Sequence, residues 1–120
     1  MAAVGKISLR AKLEDLGVPL EIVEQFSIVP TESHYDYIVQ TTTNVAQALN
    51  LGGVSTVQAI IILAKSKNLA VDTTWVTPTF VEEMVVAEGQ FSVFVPGGTV
   101  YVKNSVAGET CTFEYLILGT

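Results

Sequence analysis

One histidine, one cysteine and a scatter of carboxylates are all that this chain offers for chemistry. A thiol nucleophile would need Cys111 within hydrogen-bond reach of His34 as its base. Cys111 alternates in phase with Phe113 and Tyr115, which puts its sulfur on an apolar strand face and reads as a buried, inert thiol. A lone histidine cannot build a histidine cluster for a metal, and one histidine with one cysteine cannot close a structural zinc site. Glu82, Glu83 and Glu88 are the right types for an acid/base pair or half of a calcium site. Neighbours on a strand point to opposite faces, so Glu82 and Glu83 would not address one substrate together and read as a solvated edge. The expectation is no catalytic residue, no cofactor and no metal.

Two further stretches carry chemical interest. Pro96-Gly97-Gly98 is glycine-rich but lacks the lysine and following helix of a phosphate loop. It reads as a turn, with Pro96 at its second position and Gly97 at the positive φ of a type II turn. Trp75 with Tyr35, Tyr37, Phe94 and Tyr101 would serve as a sugar-stacking platform. Aromatic residues with a polar tip are equally suited to subunit interfaces.

The bulk composition favours the interface. Of 120 residues 49% are hydrophobic and only 15% charged, against a usual quarter. A small domain with so little charge either hides apolar surface in a partner or risks aggregation, which favours an oligomer or assembly component. The net charge of −6, with six scattered basic residues, speaks against nucleic acid, whose phosphates require clustered lysine and arginine. The first residues lack a signal-peptide core. The longest unbroken apolar run, residues 59–64, is far short of the roughly 20 residues that span a bilayer. The expectation is a soluble, unexported protein with no membrane partner.

The elements that would position these residues are strands. Phe91, Val93 and Val95 alternate with polar or opposite-facing neighbours, as do Val100 and Val102, and then Cys111, Phe113, Tyr115 and Ile117. Period two is the strand period, and the intervening turn signals suggest a three-stranded meander. Tyr35, Tyr37 and Val39 mark another strand, running on toward Thr41-Thr42-Thr43, and Val45, Gln47, Leu49 and Leu51 a further one before Gly52-Gly53. Residues 57–63, apolar apart from Gln58, are read as a central strand buried on both faces. Residues 65–68 make a polar turn, and residues 80–87 a strand ending in the Glu88-Gly89 hairpin turn.

The first thirty residues are the least determined. Ile7 and Leu9 suggest a short strand or extended arm, while Gly17-Val18-Pro19 interrupts the following leucines. Pro19 suits the first position of a short helix over 19–26, whereas the β-branched Ile22, Val23, Ile28 and Val29 favour extended chain. The whole reads as one all-β domain, an antiparallel β-sandwich of jelly-roll type over residues 34–118, with residues 1–31 as an arm or peripheral segment.

The closing run from Gln90 to Asn104, QFSVFVPGGTVYVKN, followed by Phe113 to Gly119, FEYLILG, resembles the small β-sandwich structural proteins of tailed bacteriophage particles. Those proteins decorate capsids, complete necks or tails, or attach fibres. The resemblance spans roughly residues 57–120 and implies a non-enzymatic, homo-oligomeric virion component, bound to itself and to a capsid or tail protein. That group shares no motif from which site residues could be carried over. The candidate contact residues are therefore chosen for apolar or aromatic character: Ile7, Leu9, Leu13, Leu16, Leu20, Trp75, Phe94 and Tyr101. The competing reading is a carbohydrate-binding or adhesin module built on the aromatic residues.

Overall fold

The computed structural model of the chain describes residues 5–13, 20–40 and 45–120. These form ten strands and no helix, and hence no helix able to cross a membrane. The strands are β1 (Gly5–Leu13), β2 (Leu20–Ile28), β3 (Glu32–Gln40), β4 (Gln47–Ala48), β5 (Val57–Ser66), β6 (Leu69–Asp72), β7 (Met84–Val86), β8 (Phe91–Phe94), β9 (Tyr101–Asn104) and β10 (Cys111–Gly119). β1 and β2 pair only with each other; the rest make two four-stranded antiparallel sheets, β3-β10-β5-β8 and β4-β9-β6-β7.

The pairing has a simple rule. β3 bonds to β10, β4 to β9, β5 to β8 and β6 to β7, so the last eight strands form one long hairpin rolled up on itself. Rolling adds β10 beside β5 and β9 beside β6. This is jelly-roll connectivity, and the all-β sandwich expected from the alternation is what the chain forms.

Rolling also corrects the expected meander. β8, β9 and β10 are all strands, but β9 belongs to the opposite sheet from the other two, so none of the three neighbours another. The turn at Pro96-Gly97-Gly98 carries the chain across the sandwich, tied by the Gly98 N–H to the Thr73 carbonyl at 2.9 Å. Neither of its glycines has positive φ, so the type II assignment does not hold. Residues 65–68 cross in the same way, with Lys67 at φ 62°. The turn at Glu88-Gly89 is real, with Gly89 at φ +78°, yet it too joins different sheets.

Other boundaries shift for local reasons. The segment expected as a helix over 19–26 is strand β2, bonded in register to β1 from Leu13↔Leu20 to Gly5↔Ile28. Its β-branched residues outweigh Pro19, since extended chain relieves their χ1 crowding. The strand expected over 80–87 shrinks to β7. Residues 73–83 are mostly irregular, held by Glu83, whose carboxylate accepts from the hydroxyls of Thr73 and Thr74 and from the Thr73 N–H. Those hydroxyls, Thr73 first, keep the Glu83 carboxyl below its ordinary pKa. The strand expected over 45–51 is reduced to β4. Residues 41–44 and Leu16, Gly17, Val18 and Pro19, on which further expectations rested, lie outside the described residues.

The core lies between the sheets. Ile60, Ile62 and Ala64 of β5 face Phe113, Tyr115 and Ile117 of β10, with Leu69, Val71, Val86 and Val102 from the other sheet. Residues 57–63 are not sealed on both sides as expected: Ile60 and Ile62 are fully buried, whereas Ile61 and Leu63 are only half-buried. Beneath the sandwich edge Asp72, 1% exposed, accepts the N–H of Thr74 and of Val81 at 2.9 Å each. That buried carboxylate anchors the irregular 73–83 segment on β6.

Candidate interaction surface

The half-burial of Ile61 and Leu63 points to the surface that sets this sandwich apart. Residues opposite one another on neighbouring strands share a face. One row across the first sheet reads Tyr35, Leu116, Ile61, Val93, and the next contains Glu114, Leu63 and Phe91. Tyr35 is 60% exposed and Phe91 62%, with Val93 and Val95 also exposed. All four strands thus turn apolar side chains outward, and the Tyr35 and Phe91 end positions of these rows stand open to solvent. The face has one charged pair among the described residues, Lys65 Nζ to Glu114 Oε1 at 3.3 Å. The Tyr35 hydroxyl donates to the other Glu114 oxygen at 2.6 Å. That hydroxyl, followed by Lys65, keeps the Glu114 carboxyl below its ordinary pKa.

The second component is the β1–β2 arm. The register pairs positions 5, 7, 9, 11 and 13 with 28, 26, 24, 22 and 20. On this face the sequence supplies Gly, Ile, Leu, Ala and Leu against Ile, Phe, Glu, Ile and Leu. The other face carries Lys6, Ser8, Arg10 and Lys12 opposite Ser27, Gln25, Val23 and Glu21. By register and sequence, one set of positions is thus mostly apolar, with Glu24 the exception, and the other mostly polar. Its base lies against the first sheet at Gly5, where a Cβ would lie 2.8 Å from Ile28 and 3.3 Å from the Leu118 methyl.

The other residues singled out by sequence are dispersed. His34 pairs with Ile117 and Cys111 with Gln40, six register positions apart, roughly 20 Å at about 3.3 Å per residue. His34 instead packs on the turn at Gly52 and tilts against Tyr115, ring centroids 5.8 Å apart. Glu82 and Glu83 lie in the irregular segment, and no cluster of metal-ligating side chains forms among the described residues. Trp75 stacks on Tyr101 at 4.1 Å with the rings 12° from parallel, and Lys103 lies over Phe80 at 4.6 Å. Within this cluster the stacking face of Tyr101 is taken up by Trp75. Phe94 packs half-buried against the core, on the inner side of β8. Of the candidate contact residues, Ile7, Leu9, Leu13 and Leu20 fall on the arm, while Leu16 lies outside the described residues.

A shallow cavity of about 470 Å³ opens at the end of the sandwich where residues 49–57 and 96–100 meet. Its lining (Leu49, Leu51, residues 55–57 and 96–100) includes no titratable side chain, so it offers no acid or base. Cys111 is fully buried, and burial pushes its thiol up to about 11, with Glu109 and Glu88 adding to the effect. A thiol reagent such as dithiobis-nitrobenzoate at pH 8 should therefore leave Cys111 unmodified until denaturant is added. Rapid labelling of the native protein would place the sulfur outside the core.

Comparison of the chain with protein-family models, with curated proteins and with solved structures found no match.

The outer face was missed by sequence reasoning because an apolar run looks the same whether its second side meets protein or water. The signal that could have found it was Phe91-Val93-Val95, exposed positions with too few polar residues for a solvated face.

Proposed function

We propose that this chain is a non-enzymatic structural subunit that assembles with copies of itself, as a virion component of the capsid-decoration or tail type. The observation that carries this reading is the arm. It is a hairpin of two nine-residue strands, mostly apolar in one of its two register sets, whose described residues pair with neither sheet of the sandwich. An isolated two-stranded hairpin is marginally stable in water, so a fixed shape for the arm requires a surface to lie on. The apolar outer face of the first sheet supports the same reading from the other side. Jelly rolls occur in capsid domains but also in lectins and cupins, so the fold agrees with assembly without selecting it.

Light scattering tests the proposal. The full chain should have a mass that is a multiple of the 12.9 kDa subunit. A shortened chain beginning at Thr31 should keep its all-β circular dichroism and fall to a single subunit. A full-length protein that stays at 12.9 kDa at every concentration would contradict self-assembly.

A further inference from the structure

We propose that strand β8 pairs antiparallel with β8 of a second copy about a two-fold axis at Val93, joining two β3-β10-β5-β8 sheets edge to edge. This rests on the assembly reading above and names one contact within it.

β8 closes its sheet on one side and pairs only with β5. The direction of its backbone groups follows from the register. Ala64 donates its N–H to the Gln90 carbonyl at 3.1 Å, and alternate residues of an antiparallel strand bond to the same side. Ser92 and Phe94, opposite Ile62 and Ile60, therefore bond to β5. Phe91 and Val93 turn their N–H and C=O groups to the open edge, and the same alternation carried one step further adds Val95. Among the described residues no strand takes up these groups. The other edges are poorer places to meet a copy. β4 and β7 are two and three residues long, and β3 brings Glu32 and Asp36, which a symmetric pair would set near their own copies. Residues 89–102 hold no charged side chain, so β8 lacks the charge that usually keeps an open edge from pairing.

The order of side chains makes a second copy the fitting occupant. Centred on Val93, the pair sets Phe91 opposite the partner's Val95 and Val93 opposite its own equivalent, as an isologous contact requires. Every outward-facing backbone position then meets another, and each opposed pair exchanges both hydrogen bonds. A slip of one residue would set outward groups against groups already bonded to β5. On the outer face two aromatic–β-branched pairs flank a valine pair, a favourable cross-strand arrangement. Phe91, Val93 and Val95 are all exposed in the single subunit, so pairing removes apolar surface as well as satisfying backbone. The Gly89 turn and Pro96, which has no N–H, end the ladder on its two sides. A ladder this short buries less than the roughly 1,200 Å² of a stable interface. It therefore adds to the arm contact and does not replace it, and a chain without the arm still falls to single subunits.

Cross-linking of full-length variants tests the pairing, with circular dichroism to confirm folding. Opposite Cα atoms in a bonded antiparallel pair lie about 5.5 Å apart, within the reach of a disulfide. Val93→Cys, oxidised by copper phenanthroline in air, should give a covalent dimer on a non-reducing gel about tenfold faster than Val106→Cys, since pairing raises the local thiol concentration to the millimolar range. Val106 is a similarly exposed loop position, and the native Cys111 is fully buried. The register has its own readout: Phe91→Cys mixed with Val95→Cys should cross-link faster than either variant alone, and this pair serves if Val93→Cys does not fold. Cross-linking at position 93 no faster than at 106, or no gain on mixing, would overturn the β8 pairing. A wild-type multimer in light scattering would then leave self-assembly standing. A wild-type protein that stays a single subunit at every concentration would overturn both.

Discussion

Phe113→Ala should destabilise the sandwich by about 3–5 kcal/mol, enough to lower the melting temperature by more than ten degrees in a domain of this size. Phe113 is 1% exposed and sits on β10, between Ala64 of β5 and Ile38 of β3 in the register. It stacks on Tyr115 with ring centroids 6.0 Å apart. Truncation leaves a cavity that β10 cannot close by moving, because it is hydrogen-bonded on both edges. Ile61→Ala, on the half-exposed face of the neighbouring strand, should cost less than half as much in the monomeric protein. Equal losses in urea unfolding would mean that the outer face is already covered.

Gly119→Ala should be of comparable severity for a different reason. A Cβ at this position would lie 2.0 Å from the Thr56 carbonyl oxygen and 2.7 Å from Val54. Neither is a flexible side-chain end that can step aside. The register slips here, Leu118 facing Ala59 while Gly119 faces Val57, so that the start of β5 crosses close over the end of β10. Around it Ser55 and Thr56 donate their N–H groups to the Thr120 carbonyl, and Thr120 donates to Thr56, all within 2.8–3.0 Å. A methyl group forces this clamp open, with a loss of several kcal/mol where overpacking meets backbone. Thermal unfolding reads it directly, and an unchanged melting temperature would mean that the two segments do not approach so closely.

Much of this architecture could be read from residue order. The alternation of Cys111, Phe113, Tyr115 and Ile117 identifies the inner face of β10, and each is buried as the period requires. Period two reports which face a residue occupies and is silent about which strand lies alongside. That is why Pro96-Gly97-Gly98 and residues 65–68 looked like hairpin turns, when both carry the chain from one sheet to the other. The same silence hid the outer face: Ile60, Ile61 and Ile62 have identical side chains, and only their neighbours distinguish the two that are sealed from the one that is not. Arm positions were recognisable as apolar, but their shape was not, because Pro19 and the β-branched Ile22 and Val23 argue for different backbones. Among the catalytic candidates, the separation of His34 from Cys111 needed the β3–β10 register, which no local pattern contains.

The pairing of β3 with β10 also bears on the order in which the sandwich can form. β10 is an interior strand, lying between β3 and β5, and of the ten strands it is the last in order of synthesis. Until residues 111–119 are available, the first sheet is split into β3 and the β5–β8 pair, and Ile60 and Ile62 lack their β10 neighbours Ile117 and Tyr115. Only β6 with β7 and the arm with itself can pair locally; every other ladder waits on distant sequence, the arrangement that slows folding most. The sandwich core is consequently completed only once residues 111–119 are present, and while the chain waits its low charge gives little protection from association with other incompletely folded chains. A chain cut short of Cys111 would lack the strand on which both halves of the first sheet depend.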